Sequence, residues 1–499
     1  MNRSRLIHRC FLIAVLLLAS LLGGCRADQG GLGSPLRQSI SLQPCQLSAP
    51  GLPQRLAAQC GKVTVPEDRS SPSGSQIELH LAVIPAVSRN PAPDPLVFLA
   101  GGPGQAATEA FLHYSYSFER INQKRDIILI DQRGAGKSNP LVCPGLEDLE
   151  NDAEANLAPL LRECLQHLNT DPALYTTWAA AADLNQVREA LGAEQLNLYG
   201  VSYGTRLAQM YLNMFPDRVR AVILDGVVPQ EEALGMDVAQ DAQRALNLIF
   251  NRCSQEPSCG KSFPNIEREF HDVLNFLAEN PVTTSLPHPL DGRNIQITFT
   301  ADEFSIAVRL LSYAPETAAL LPLLIHTTAE SGDFRLMAAQ YVIVTQQFSD
   351  SISEGLGYSV LCSEDAPFFD QQAARQKNAD TYLGNIQVEQ LEKICQVWPA
   401  APAPEGYKQK VRSSVPALIL SGEADPVTPP DNGMLVAAGL PNSMHLIAPG
   451  MGHGVFFRGC IARLAARFIE DGAVSNLDAA CVQEIRPMPF FMDPSGPPP

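Results

Sequence analysis

Asn197-Leu198-Tyr199-Gly200-Val201-Ser202-Tyr203-Gly204-Thr205-Arg206 is the stretch on which the reading of this chain turns. An apolar run feeds Gly-x-Ser-x-Gly, and a helix-forming segment over 206–215 follows. In that setting the pentapeptide reads as a nucleophile elbow. The chain reverses so sharply between strand and helix that only glycine fits at 200 and 204, and the turn lifts the Ser202 hydroxyl clear of the backbone at the mouth of a sheet.

A serine hydroxyl is a weak nucleophile until a neutral imidazole takes its proton, and a buried carboxylate must fix that imidazole's tautomer. The partners come downstream. Residues 415–421 (VPALILS) form a short apolar run bounded by Pro416 and Gly422, and Asp425 sits just past its end. Residues 444–448 form a second short run, and His453 follows it in Pro449-Gly450-Met451-Gly452-His453-Gly454. Side chains at the carboxyl ends of successive parallel strands converge on one crevice. Serine, then acid, then histidine is the chain order of an α/β-hydrolase. Glu423 and Asp225 are rival acids; His445 reads as a packed strand residue, and His80 and His113 precede the elbow. The apolar run 96–100 leads into Gly101-Gly102-Pro103-Gly104, a glycine turn able to aim N–H groups, with that of Tyr203, at an oxyanion. Gly102 and Tyr203 are the expected donors. Residues 131–138 (DQRGAGKS) end like a phosphate loop, but Asp131 stands where that motif needs its first glycine, so a bracing role for Asp131 and Arg133 is expected instead.

Taken together, AGGPG at 100–104, DQRGAGKS at 131–138, the elbow GVSYGTR and LSGEADPVTPP at 420–430 resemble the proline iminopeptidase and tripeptidyl aminopeptidase group of α/β-hydrolases. The segment 175–192 before the elbow fits the tripeptidyl branch. Iminopeptidases usually begin the oxyanion motif with histidine, and Ala100 stands here instead. The resemblance covers roughly 60–485 and implies the triad Ser202, Asp425 and His453 already reached from the residues.

The chain opens with Arg3, Arg5 and Arg9 ahead of an apolar stretch of 12 residues, Phe11 to Leu22. A membrane-spanning helix needs about 20, so a secretory signal is expected. Leu22-Gly23-Gly24-Cys25 looks like a bacterial lipoprotein processing box, which makes Cys25 the expected lipidation site; ordinary cleavage after small residues is the alternative. Two or more acyl chains anchor stably where one does not. The expected location is therefore the bacterial cell envelope, lipid-anchored on its periplasmic or extracellular face. Of 12 cysteines, ten remain without Cys10 and Cys25. Outside the cytoplasm disulfides are the default. Neighbour pairing gives Cys45–Cys60, Cys143–Cys164, Cys253–Cys259, Cys362–Cys395 and Cys460–Cys481. A zinc site at Cys253 and Cys259 lacks a second ligand pair nearby. Losing the leader's three arginines takes the net charge from −17 to −20, which disfavours nucleic-acid partners.

The expected organisation is a lipoprotein signal peptide (1–24), a flexible tether (25–43), a first part of the hydrolase core (44–228), a helical cap (229–412), a C-terminal part of the core (413–485) and a Pro-rich tail (486–499), its end disordered. The expected fold is an α/β-hydrolase with a mostly parallel sheet and a large helical cap inserted between the sixth and seventh strands. Helical periods fall at 237–252, 266–278, 301–312 and 317–329. An exopeptidase must recognise a free α-ammonium, and Glu231, Glu232, Glu364 and Asp365 are the candidate carboxylates. The chain thus reads as an envelope-anchored serine exopeptidase acting on peptides with a free N-terminus, with no cofactor or metal implied. An esterase or amidase of small acyl substrates and a non-catalytic binding lipoprotein are the alternatives.

Overall fold

Several short runs of this chain are apolar at every position, as strands buried on both faces must be. The structure, a computed structural model, describes residues 40–143 and 157–496. Among them the strands are β1 (Gln43–Leu47), β2 (Leu56–Pro66), β3 (Gln76–Ile84), β4 (Leu96–Leu99), β5 (Ile127–Ile130), β6 (Leu196–Val201), β7 (Val219–Asp225), β8 (Val282–Pro287), β9 (Asn294–Phe299), β10 (Ala417–Gly422) and β11 (Ser443–Ala448). All but β8 and β9 form one sheet in the order β1-β2-β3-β5-β4-β6-β7-β10-β11. Pairing is antiparallel from β1 through β3 to β5 and parallel from β5 to β11.

The two-residue period of the strands feeds two cores. Leu198, Val222, Ala417 and Ile419 pack on one face of the sheet. Their chain neighbours Tyr199, Ile223, Leu418 and Leu420 pack on the other. Burying each large side chain contributes about 1.5–3 kcal/mol, so a polar substitution in these strands disrupts one core directly.

Between β7 and β10 the chain builds a cap around a third core that includes Phe250, Phe270, Phe299 and Phe304. Its helices include Val238–Gln255, Ile266–Glu279, Ala301–Leu311 and Leu321–Ser331. The third begins at a capping box, in which Thr300 caps the helix while its own N–H donates to Glu303 (2.8 Å).

Three expectations need correction. The tether stops short of residue 43, where β1 adds an edge strand, so the cap follows the seventh strand of the sheet rather than the sixth. The cap is not purely helical, because β8 and β9 form a hairpin whose alternating Thr and Ile residues suit a half-buried ribbon. The helix expected over 317–329 divides into Pro315–Ala318 and Leu321–Ser331. Pro322 has no N–H to donate and sits in the first turn of the second piece. Within the Pro-rich tail, Phe490 is fully buried in the cap core with the Arg252 guanidinium 3.9 Å from its ring centroid. The leader, Cys25, most of the tether and residues 497–499 lie outside the described residues. All five neighbour disulfides are present, closing spans of 15, 21, 6, 33 and 21 residues. Among the described residues no helix is long and apolar enough to cross a membrane.

Candidate active site

β6 delivers the chain to Ser202, which stands at φ +55° and ψ −127° before the helix Tyr203–Met214. A side chain at positive φ costs energy and persists only where its surroundings over-determine it. Here the Ser202 N–H donates to the Asp225 carbonyl (2.9 Å), and the Ser202 carbonyl accepts from the Thr205 N–H (2.8 Å) and hydroxyl (2.6 Å). Gly204 lets this turn close on β4, since a Cβ there would lie 2.2 Å from the Leu99 carbonyl oxygen.

β10 and β11 carry the other two groups. His453 Nδ1 lies 2.8 Å from Asp425 Oδ2. Asp425 is fully buried and also accepts from the Val427 and Thr428 N–H groups (both 2.9 Å) and the Thr428 hydroxyl (2.7 Å). Burial works against its charge, but His453 and the Thr428 bonds hold the carboxyl below the ordinary range. With Nδ1–H donated to Asp425, the His453 Nε2 lone pair is free to take a proton. Burial, the largest influence, disfavours the imidazolium, yet the Asp425 charge and hydrogen bond together with the Asp225 charge outweigh it and raise the His453 pKa above its ordinary value.

Ser202 and His453 line one cavity of about 600 Å³, together with Gly101, Gly102 and Tyr203. Gly102 has φ +107°. The Tyr203 N–H belongs to the first helical turn, whose N–H groups have no partner within the helix. Both expected oxyanion donors therefore stand on the cavity that holds the serine. The Tyr203 hydroxyl is pinned by Gln132 (3.0 Å) and Thr177 (2.8 Å). Asp131 accepts from the Thr108 N–H (3.0 Å) and hydroxyl (2.9 Å), and fully buried Arg133 pairs with Asp183 (2.7 Å). Both brace loops.

The rivals have other work. Asp225 accepts from the Val455 and Phe456 N–H groups (both 2.9 Å) and the Tyr199 hydroxyl (3.0 Å), holding the loop after His453. Glu423 accepts from the Gly450 N–H (2.8 Å). His445 Nε2 lies 2.9 Å from the Ser421 hydroxyl within the sheet. His80 and His113 do not line the cavity.

The four carboxylates expected to hold an ammonium are not on the cavity wall. Glu364 is fully buried and accepts from the Thr177 N–H and hydroxyl (both 2.6 Å) and from Tyr407. Asp365 is saturated by Arg206 (2.8 Å) and Lys408 (2.7 Å). Glu231 approaches Lys410 at 3.9 Å, and Glu232 offers its carbonyl to Arg206 (2.8 Å). The Glu364 and Asp365 carboxylates are thus met by donors of the protein itself, whereas both Glu231 carboxylate oxygens are buried without a hydrogen-bond partner.

Sequence reasoning missed several residues around the base. Thr428 reaches both Asp425 and His453 Nδ1 (3.0 Å); its place three residues after the acid, where Ser and Thr commonly close turns, was the available signal. Arg244, on the cap helix Val238–Gln255, donates to the carbonyls of Glu423 and Asp425 (both 2.8 Å). Tyr313, just past the helix Ala301–Leu311, accepts the His453 N–H (2.7 Å) through its carbonyl. Nothing local in the sequence marks these cap contacts.

The sequence has parallels among known proteins. Residues 94–251 match the alpha/beta hydrolase fold family profile, and residues 380–481 match that of the TAP-like proteins. The chain is 26% identical to the serine protease Hip1 of Mycobacterium tuberculosis, over 96% of its own length and 99% of that protein. It is 33% identical to the tripeptidyl aminopeptidase of Streptomyces lividans over 34% of its length and 35% of that enzyme. It is also 26% identical to carboxylesterase B of M. tuberculosis, covering 85% of this chain and 86% of the other.

Proposed function

From a serine hydrolase with the α/β-hydrolase fold and a TAP-like C-terminal segment, we propose a peptidase that releases residues or short peptides from peptide N-termini, anchored to the cell envelope through lipid on Cys25. The observation that carries the chemistry is the His453–Asp425 contact of 2.8 Å beside a positive-φ Ser202 on one cavity. Ser202 Oγ attacks the scissile carbonyl carbon while His453 Nε2 takes its proton. Asp425 stabilises the imidazolium, and the N–H groups of Gly102 and Tyr203 receive the oxyanion. His453 then protonates the leaving amine, the C–N bond breaks, and an acyl-enzyme remains. Water, deprotonated by His453, attacks that ester and frees the acid and Ser202 Oγ–H.

The substrate end rests on the peptidase relatives, because no acidic side chain lines the cavity among the described residues. That same wall, largely apolar, favours a second reading, an esterase of small acyl groups, to which the likeness to a carboxylesterase also points. One panel separates them: chromogenic peptides with free and acetylated N-termini beside simple acyl esters. Ser202→Ala is expected to lower every turnover by about 10⁴–10⁶-fold in a folded protein; retained activity overturns the mechanism. Equal cleavage of free and acetylated peptides overturns the exopeptidase assignment and leaves the serine chemistry standing.

A further inference from the structure

The cavity around Ser202 and His453 carries an unmatched positive charge. Besides His453, the charged side chains on its wall among the described residues are Arg309 and Arg458. Arg458 is neutralised by Glu316 (2.8 Å). Arg309 is not: its Nη2 donates to the Tyr313 hydroxyl (2.9 Å), while its Nε is buried with no hydrogen-bond partner. No carboxylate forms an ion pair with it among the described residues, in a chain with 53 acidic and 36 basic residues.

An unpaired guanidinium in a poorly hydrated wall is costly, and a planar fork of donors is suited to a carboxylate. Arg309 lies in the last turn of the helix Ala301–Leu311, whose C-terminal half-charge offsets part of that cost but supplies no partner for Nε. The group also stands close to the chemistry. Tyr313, its hydrogen-bond partner, bonds the His453 backbone and sets its ring 5.4 Å from the imidazole.

We propose that Arg309 receives a substrate carboxylate, so that this site prefers substrates bearing a negative charge near the scissile carbonyl. The inference rests on the reading of Ser202 and His453 as the catalytic pair. The carboxylate can come from an acidic side chain beside the cleaved bond or from the C-terminus of a short peptide. Either pairs with the guanidinium through charge-assisted hydrogen bonds, with no proton or bond exchanged.

The test uses the full mature chain and three matched pairs: Ala-Ala-Glu against Ala-Ala-Gln p-nitroanilide, a tetrapeptide acid against its amide, and p-nitrophenyl hemiglutarate against p-nitrophenyl valerate. Wild type is expected to favour at least one anionic member by about 10- to 100-fold in kcat/KM. The pair that discriminates names the source. In Arg309→Gln that ratio is expected to fall to near one, and Arg309→Lys to restore part of it. Taking the ratio cancels any effect of Arg309 on His453 itself. If no pair is turned over, protection of Ser202 from a fluorophosphonate by glutarate but not by glutaramide supports the proposal, and equal protection overturns it. Wild-type ratios near one, or a preference that survives Arg309→Gln, overturn it too. Turnover that survives Ser202→Ala instead defeats the underlying reading of the site.

Discussion

At His453 opposing influences set the titration. Burial disfavours the imidazolium, the Asp425 charge and hydrogen bond favour it, Asp225 adds to them, and Arg309 opposes. The balance lies above the ordinary value of 6.5. A general base works only when neutral, so kcat/KM is expected to fall as pH drops through a value above 6.5, measured as the acid limb of the pH–rate profile. Asp425→Asn removes the largest raising influence. Its acid limb is expected to move down while the rate falls by about 10⁴-fold. A limb that stays in place would show that another group titrates. At this scale the sequence was informative where the chemistry is local. A serine between glycines, and an acid and a histidine just beyond strand ends, are visible in short windows. Glu364 and Asp365 were misread because their partners Thr177, Arg206 and Lys408 come from distant segments. A buried, saturated carboxylate looks the same in sequence as a solvated one.

Between elements, the seam that matters joins the cap to the His453 loop. A Cβ on Gly452 would lie 2.2 Å from the Tyr313 carbonyl oxygen, which itself accepts the His453 N–H. Gly452→Ala must therefore push the cap turn away or shift the loop. Overpacking of this kind costs about 1–3 kcal/mol, read from denaturant unfolding. A displacement of the base by about 1 Å costs roughly 100-fold in rate. The expected variant is folded, less stable and markedly slower, while wild-type kinetics would mean the seam yields freely. Short, wholly apolar strands and amphipathic helices were legible because burial on both faces leaves no polar position in the first and imposes a helical period on the second. The edge strand β1 and the hairpin β8–β9 escaped because half-exposed ribbons carry weaker patterns, with burial alternating along β8 and β9. Phe490 and Phe491 stand among prolines near the C-terminus, and only the cap core shows why they dock.

For the whole molecule, cysteine decides where it works. Ten described cysteines are joined in five bridges, a pattern that persists outside the reducing cytoplasm and places the folded chain there. That leaves Cys10 and Cys25, which the proposed anchoring places in a leader and at its end. If the leader is removed before Cys25 and that residue is acylated, the mature protein has no free thiol. Titration under denaturing, non-reducing conditions is then expected to find none, and intact mass to show lipid on an N-terminal Cys25. The variant Cys25→Ser is expected to lose the acyl label and to leave the membrane fraction or persist as unprocessed precursor, with its five bridges unchanged. The anchor and the bridges fail separately. A mature N-terminus elsewhere with no lipid mass removes the anchor alone, whereas ten reactive thiols in the denatured chain would remove the bridges and the extracytoplasmic location inferred from them.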